Sequence, residues 1–254
     1  MLYLCVPAHN EAATVGLLLW QIRKVFQDYS REYEVIVYDD GSDDGTRETL
    51  EPYAKVLPLT VLGGPRQKGY AHALDALLRE ASERTRYPRR DALVTMQADF
   101  TDQPESLPEL VKRFEGGADI VVGEREYQQF PKGPERNLRR VAPWILKPFV
   151  RVPGVADPFS SLRLYRVSVV RDLLRSLGDQ PVIGNEGWAG NVELLLRTMP
   201  LARRVETVAL PPRPELRPRE SRVRPWAVAR ELYRFGRSAR STIPQPRREA
   251  AKTT

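Results

Sequence analysis

The chain has little with which to cross-link itself, hold a soft metal or cross a bilayer. Of its 254 residues one is cysteine, Cys5, and two are histidine. A single thiol excludes an internal disulfide, and no zinc-finger spacing can be drawn. Cys5 lies in an apolar run, reads as a small buried residue, and fits a cytoplasmic chain. Apolar runs are short as well: stretches such as Val15 to Trp20 fall far below the ~18 residues a membrane-crossing helix needs. Met1 leads directly into strand-like LYLCV without a basic n-region or cleavage site, so no signal peptide is expected. No RNP-like strand or basic heptad is present, which discounts nucleic acid as a partner, and no segment repeats.

What is there is a soluble, basic, globular chain. Its length suits one large α/β domain with its own core. The net charge is +7, and the excess sits late: eleven arginines lie between Arg213 and Arg248 against three glutamates. That balance suits an anionic membrane surface or phosphorylated small molecules.

Periodicity gives the order of elements. Leu2 to Val6 reads as a strand ending at Pro7, followed by a helix over about Ala12 to Gln27 with Asn10 or Thr14 as its cap. A second strand starts at Val35. Leu57 to Leu62 is a third, leading through GGPRQKG into a helix over Tyr70 to Glu83. Strands at Ala92 to Met96 and Ile120 to Gly123 flank a helix from about Ser106 to Phe114. Alternation of this kind predicts a doubly wound, mainly parallel sheet with helices on both faces. Beyond Arg125 the regularity stops. A strand within Asp157 to Tyr165, helices near Val167 to Leu174 and Glu186 to Thr198, an edge strand at Arg203 to Leu210 and a helix at Trp226 to Ser238 follow. We read one domain over residues 1–238, in two halves that meet between residues 125 and 126, with a basic, disordered tail at 239–254.

The stretch VIVYDDGSDDGT, Val35 to Thr46, organises the rest. A β-branched apolar run breaks into Asp39 and Asp40 and then a turn. Carboxylates at the carboxyl edge of a buried parallel strand stand where open α/β sheets bind ligands. They can accept hydrogen bonds from a ribose or base or help hold a cation; the plain alternative is a turn that caps a helix.

Four further stretches stand in register with it: Pro7-Ala8-His9-Asn10-Glu11, Gln97 to Glu105, Val122-Gly123-Glu124-Arg125, and Asp157 to Arg166. Together the five resemble the P-A-Y-N-E, V-D-D-G-S-x-D-G-T, D-A-D-x-Q-x-P-P-E, V-G-S-R and D-P-x-S-G-F-R-x-Y-R segments of family 2 glycosyltransferases. The likeness is nearest to the dolichol- and polyprenyl-phosphate sugar transferases and runs from about Leu2 to Arg222. It implies the GT-A fold, an inverting sugar transfer from a nucleotide-diphosphate donor, and Mg2+ or Mn2+ as cofactor. It also implies that Pro7, His9, Glu11, Asp39, Asp40, Gln97, Ala98 and Arg125 line the donor site. Asp99 and Thr101 would face the metal, and Arg217, Arg219 and Arg222, in RPRESR, would close over the diphosphate. Three departures stand out: Gln97 replaces the first aspartate of D-x-D, Thr101 replaces the glutamine, and Arg219 occupies a glycine position. Losing a carboxylate at Gln97 weakens metal affinity, and a non-catalytic nucleotide-sugar-binding or regulatory protein is the alternative that it motivates. A nucleotidyltransferase would need a Gly-rich, Arg-containing loop after the first strand, which PAHNEAAT lacks.

For the acceptor, RNLRRVAPWILKPFV (Arg136 to Val150) sets basic residues before an apolar, aromatic group, a composition suited to resting on an anionic bilayer. A buried core helix is its rival. The resemblance makes this the lipid-phosphate region, with Arg136, Arg139 and Ser160 as acceptor ligands. A phosphate arrives deprotonated and needs no base. A hydroxyl acceptor would need one, and Asp157, Glu186 and Glu193 are the candidates beside Asp99 at the reacting centre. The expected setting is cytoplasmic, peripheral at the inner face of the plasma membrane, with room for a membrane subunit or a homo-oligomer.

Overall fold

Leu2–Ala8 (β1) is buried at every position, so it must lie mid-sheet with both faces covered. In the computed structural model, which describes residues 1–126, 128, 130, 133–211 and 224–242, it does. The remaining strands are Tyr33–Asp40 (β2), Leu59–Gly64 (β3), Ala92–Thr95 (β4), Ile120–Glu124 (β5), Arg163–Arg166 (β6) and Val205–Ala209 (β7). They form one sheet in the order β3-β2-β1-β4-β6-β5-β7. β1 pairs parallel with β2 and β4, β2 with β3, and β5 with β7, whereas β6 runs antiparallel to both neighbours.

Strand alternation sorts the core into two layers. Leu2, Leu4, Val6 and Ala8 point to one face, where α1 (Ala12–Asp28), α2 (Thr46–Ala54) and α4 (Leu107–Glu115) pack. Tyr3 and Cys5 point to the other, covered by α3 (Tyr70–Arg84), α6 (Val167–Leu177) and α7 (Gly187–Thr198). A third cluster joins α7 to α5 (Pro134–Leu146) and α8 (Pro225–Thr242) through Leu146, Val150, Phe159, Leu232 and Phe235. Among the described residues no helix is long and apolar enough to cross a membrane.

Several boundaries differ from the sequence reading for local reasons. β3 extends through Gly63 and Gly64, which pair with Asp39 and Asp40. Gly63 has φ +102°, and a Cβ there would meet the Asp39 carbonyl oxygen at 2.0 Å, so only glycine permits that pairing. α5 begins at Pro134, two residues ahead of the basic and apolar segment that opens at Arg136, with the proline in its first turn. It is neither wholly core nor wholly surface: Leu138, Ala142 and Leu146 are buried, while Val141 and Trp144 are exposed. α8 continues through Thr242 and buries Ala239, so residues 239–242 are helix rather than tail. Residues 243–254, the rest of the expected tail, lie outside the described residues.

The entry to β5 hangs on one buried carboxylate. Asp119 accepts from the Arg166 Nε at 2.6 Å at the end of β6, and from the Arg203 N–H at 2.8 Å just before β7. Burial pushes its pKa up, but these hydrogen bonds and the Arg166 charge outweigh burial and hold it below the ordinary value of 3.8. A lowered native pKa means a contribution that is complete above the ordinary value and is lost as pH falls through the native one. Asp119→Asn is expected to cost about 2 kcal/mol at neutral pH. The gap between variant and wild type should close below about pH 3, as read by urea unfolding across pH.

Candidate functional site

The carboxyl edge of the sheet collects the chemistry. Asp39 pairs with Ala8 across β1 and β2, and Cys5 with Thr95 across β1 and β4. The Met96 N–H continues that ladder to the Cys5 carbonyl. Asp39 and the 97–99 stretch therefore leave the sheet at the same level, two strand spacings or about 10 Å apart. Aspartates from both strand ends face one edge, as the motif reading requires.

The loops after β1 and β2 are bound to each other. Asn10 N–H donates to the Ser42 hydroxyl, Glu11 N–H to the Thr46 hydroxyl and Ala12 N–H to the Asp44 carboxylate, at 2.8–3.0 Å. α1 is thus capped by the neighbouring loop rather than by Asn10 or Thr14; Asn10 adopts φ 55° and Thr14 donates to the Glu11 carboxylate. Burial raises the Asp44 pKa, but hydrogen bonds from the Thr46 hydroxyl and the Ala12 and Thr46 amides hold it below the ordinary carboxylate range. Asp44 is accordingly a structural member of the acidic run.

Asp39 and Asp40 are both buried. Asp39 accepts from the Ser42 N–H and the Arg47 Nε, each at 3.1 Å. Asp40 takes the Lys68 and Gly69 N–H groups at 2.7 and 2.9 Å, which fixes the loop into α3. His9 sets its Nδ1 2.8 Å from the Asp40 carbonyl. Since a carbonyl only accepts, Nδ1 is the donor in this contact. Pro7 and Glu11 are buried beside them, and beyond β2 a pocket of about 340 Å³ opens between Tyr38, Gly63, Gly64 and Arg66.

At the end of β4, Gln97 and Asp99 are half-buried while Ala98 is buried. Asp99 accepts the Thr101 N–H at 2.9 Å, and Phe100 takes φ 62°. Among the described residues no three His, Cys, Asp or Glu side chains gather closely enough to hold a cation. The donor set would fit a hard divalent ion only as co-ligand of a bound diphosphate, with the Asp99 carboxylate and the Thr101 hydroxyl from the protein and phosphate and water oxygens completing the shell. Asp102 is fully buried and does not cap the turn after Pro104. Its carboxylate accepts the Gln97 N–H at 2.8 Å and the Ser161 hydroxyl at 2.7 Å.

Arg125 stands apart from Asp39, and its partner is neither Glu124 nor Glu126. It faces Asp102 at 3.6 Å and lines a pocket of about 510 Å³ with Arg139, Arg140, Asp157 and Phe159. Burial lowers its pKa, and the Asp102 charge opposes that fall. The Arg139 guanidinium lies 3.3 Å from Asp157, 4.0 Å from the Phe130 ring centroid and 4.7 Å from that of Trp188. Three arginines and three carboxylates, Glu124, Glu126 and Asp157, line this cavity, and a guanidinium there can receive an anion through charge-assisted hydrogen bonds. Arg136 is one helical turn before Arg140 on α5, and Ser160 is buried with its N–H 3.4 Å from the Asp157 carbonyl. Pro143 and Ala156 also line a second, largely apolar pocket of about 650 Å³ among Trp144, Leu146, Val150 and Val155.

Glu186 is exposed at the start of α7 and accepts the Ala71 N–H at 3.2 Å. Glu193 is buried and holds Gly184 and Asn185 through one oxygen and Arg197 through the other. Its setting is that of a loop anchor. Arg217, Arg219 and Arg222 lie outside the described residues. Sequence reasoning missed the Asp102–Ser161 contact, the Asp40 grip on Lys68 and Gly69, and Arg163, which is buried with Nη2 2.6 Å from the Pro158 carbonyl. The Ser161 departure from the motif glycine was the one available signal.

Comparison with known proteins is consistent with this geometry. The family model described as glycosyl transferase family 2 matches residues 3–174. The undecaprenyl-phosphate mannosyltransferase of Micrococcus luteus is 31% identical over 212 residues, covering 81% of this chain and 80% of that protein. The dolichol-phosphate mannosyltransferase of Pyrococcus furiosus is 31% identical over 120 residues, 47% of this chain and 32% of that one. Among solved structures, glucosyl-3-phosphoglycerate synthase from Mycobacterium tuberculosis superposes with TM-score 0.64 at 22% identity, covering 96% of this chain and 81% of that chain. TarS of S. aureus, in complex with UDP-GlcNAc, gives 0.58 at 19%, covering 82% and 55%. These two show the fold.

Removing the Asp40 carboxylate tests the loop anchoring directly. Asp40→Ala leaves two N–H groups without their acceptor and is expected to cost about 2–3 kcal/mol. Hydrogen exchange at the Lys68 and Gly69 amides should accelerate well beyond that of the β1 amides; unchanged protection there would refute the role.

Proposed function

From the premise that the chain belongs to glycosyl transferase family 2 and is a GT-A-fold glycosyltransferase, we propose that it moves a sugar from a nucleotide-diphosphate donor onto a polyprenyl phosphate at a membrane surface. The observation that carries the acceptor class is the adjacency of two cavities. The pocket of about 510 Å³ lined by Arg125 and Arg139 shares Pro143 and Ala156 with the apolar pocket of about 650 Å³. A phosphate monoester on an isoprenoid chain has that polarity: an anionic head for Arg125 and Arg139, and a tail for Leu146, Val150 and Val155. The polyprenyl-phosphate transferases among its relatives favour the same reading over a non-catalytic binder.

In this reading the nucleoside rests against the ends of β1, β2 and β3, where Asp39 presents acceptor atoms and the pocket beside Tyr38 receives the base. Asp99, with Thr101, would hold Mg2+ or Mn2+ against the diphosphate, and the ion when bound neutralises charge on the leaving group. Arg125 and Arg139 hold the acceptor phosphate with one oxygen directed at the anomeric carbon. That oxygen forms the new C–O bond while the bond to the diphosphate breaks, its electron pair leaving with the nucleoside diphosphate. A single in-line displacement inverts the anomeric centre. No base is required, and Asp157 serves instead to orient Arg139. Gln97 leaves the site with one carboxylate, yet the Asp102 hydrogen bond to its main chain preserves the loop that presents Asp99.

Membrane contact is part of the proposal. Trp144 is 69% exposed on α5 and Trp226 is 89% exposed on α8, on helices that pack together. Lys147, Arg140 and Arg230 flank them, a composition suited to the interface of an anionic bilayer.

The test is transfer of radiolabelled sugar from a panel of nucleotide-sugars to undecaprenyl phosphate in anionic vesicles, with Mg2+ or Mn2+. One donor should give a lipid-linked product, and Asp99→Asn should cut turnover by at least about 100-fold, the loss typical when charge stabilisation at a reacting centre is removed. Donor cleavage to free sugar alone would overturn the acceptor assignment. In a second assay, Trp144→Ala combined with Trp226→Ala should reduce sedimentation with anionic vesicles several-fold without changing nucleotide-sugar affinity. Equal sedimentation would exclude that surface.

A further inference from the structure

We propose that Asp102 is a positioning residue for the acceptor, holding Arg125 in the phosphate pocket while tying that pocket to the donor loop. The inference rests on the acceptor reading above and adds a residue that this reading does not need.

Asp102 is 1% exposed, too deep to touch a ligand, and its two oxygens face different halves of the site. Oδ2 accepts the Gln97 N–H, where β4 gives way to the loop carrying Asp99, and the Ser161 hydroxyl at the entry to β6. Oδ1 faces the Arg125 Nη1 at 3.6 Å and has no hydrogen bond; the Arg125 Nη2 is likewise buried without an acceptor. Charge-assisted N–H···O contacts close to about 2.7–2.9 Å, so this pair is electrostatically joined yet slack. Buried donors without acceptors are rare and mark places where a partner is expected. The Arg125 side chain is only 9% exposed, and on its far side stand Arg139 and the pocket. Glu124, Glu126 and Asp157 also line that pocket, and Arg139 is paired with Asp157 and Glu135; among the described residues Asp102 is the acid within ion-pair distance of Arg125. Asp102 thus supplies the charge that keeps Arg125 in place at the wall of the pocket.

Ser161 stands where the resembling motif has glycine, and Asp102 lies five residues after Gln97, whose N–H it accepts.

The experiment uses the full chain with geranyl phosphate as acceptor probe, measured by titration calorimetry, and the nucleotide-sugar identified by the panel. Asp102→Asn keeps the shape and an acceptor oxygen but removes the charge. We expect geranyl phosphate affinity to fall at least tenfold and donor affinity to change less than twofold. Ser161→Ala removes a neutral hydrogen bond only, and should leave acceptor affinity within twofold. Arg125→Met should lose the same affinity, and Asp102→Asn added to Arg125→Met should lose nothing further, because coupled residues are not additive. That charge-balanced pair also serves if Asp102→Asn alone does not fold. Equal losses of donor and acceptor affinity would make Asp102 a structural prop for the donor loop. Multiplying losses in the double variant would show that it does not act through Arg125. Wild type that binds donor but not geranyl phosphate would refute the acceptor reading and this inference together, whereas wild-type binding that Asp102→Asn leaves intact would refute the inference alone.

Discussion

The reversed strand β6 is the constraint on which the site depends. β1, β2, β4 and β5 deliver their following loops to one edge of the sheet, as parallel strands must. A strand entering from the opposite direction brings its preceding loop to that same edge. β6 lies between β4 and β5, so residues 157–162 arrive between the loop carrying Asp99 and the one carrying Arg125. A parallel strand in that slot would have sent Asp157, Ser160 and Ser161 to the far side of the molecule. The loops carrying Asp99, Arg125 and Asp157 meet because one strand of the mainly parallel sheet is turned around.

Buried charge holds that meeting point together. Asp40 fixes the loop into α3, Glu193 fixes the loop before α7, and Arg163 binds main-chain carbonyls of Pro158 and Asn191 from within the sheet. Each is a charged group taken out of water, a cost met by hydrogen bonds to backbone N–H and carbonyl groups. The site is therefore carried on rigid strand ends and pinned loops.

Much of this was legible in the sequence, for identifiable reasons. Apolar, β-branched runs with short loops fixed the strand order as far as β5, and carboxylates at strand ends pointed to the functional edge. The motif around Asp99 could be placed because its residues are adjacent in the chain. What could not be read was pairing at a distance. The role of Asp102 was hidden because its partners lie 59 residues on, at Ser161, and at the end of another strand, at Arg125. The setting of Arg125 could not be foreseen because nothing local says that α5 folds back to set Arg139 beside it. Glu193, offered as a base, proved to be an anchor only once the 184–185 loop was seen wrapped around it. The third strand was set two residues too early because paired glycines resemble a turn until the approach of the Asp39 carbonyl is known.

The ring stack on Arg139 carries an optical consequence. Trp20, Trp144 and Trp226 are exposed, whereas Trp188 is half-buried with a guanidinium against its face and Phe159 tilted beside it at 5.4 Å. Its emission is set apart from that of its three water-facing counterparts, and any anion that pulls the Arg139 charge toward itself changes the field across that indole. The protein thus contains its own fluorophore at the mouth of the arginine pocket, able to report occupancy without an added label.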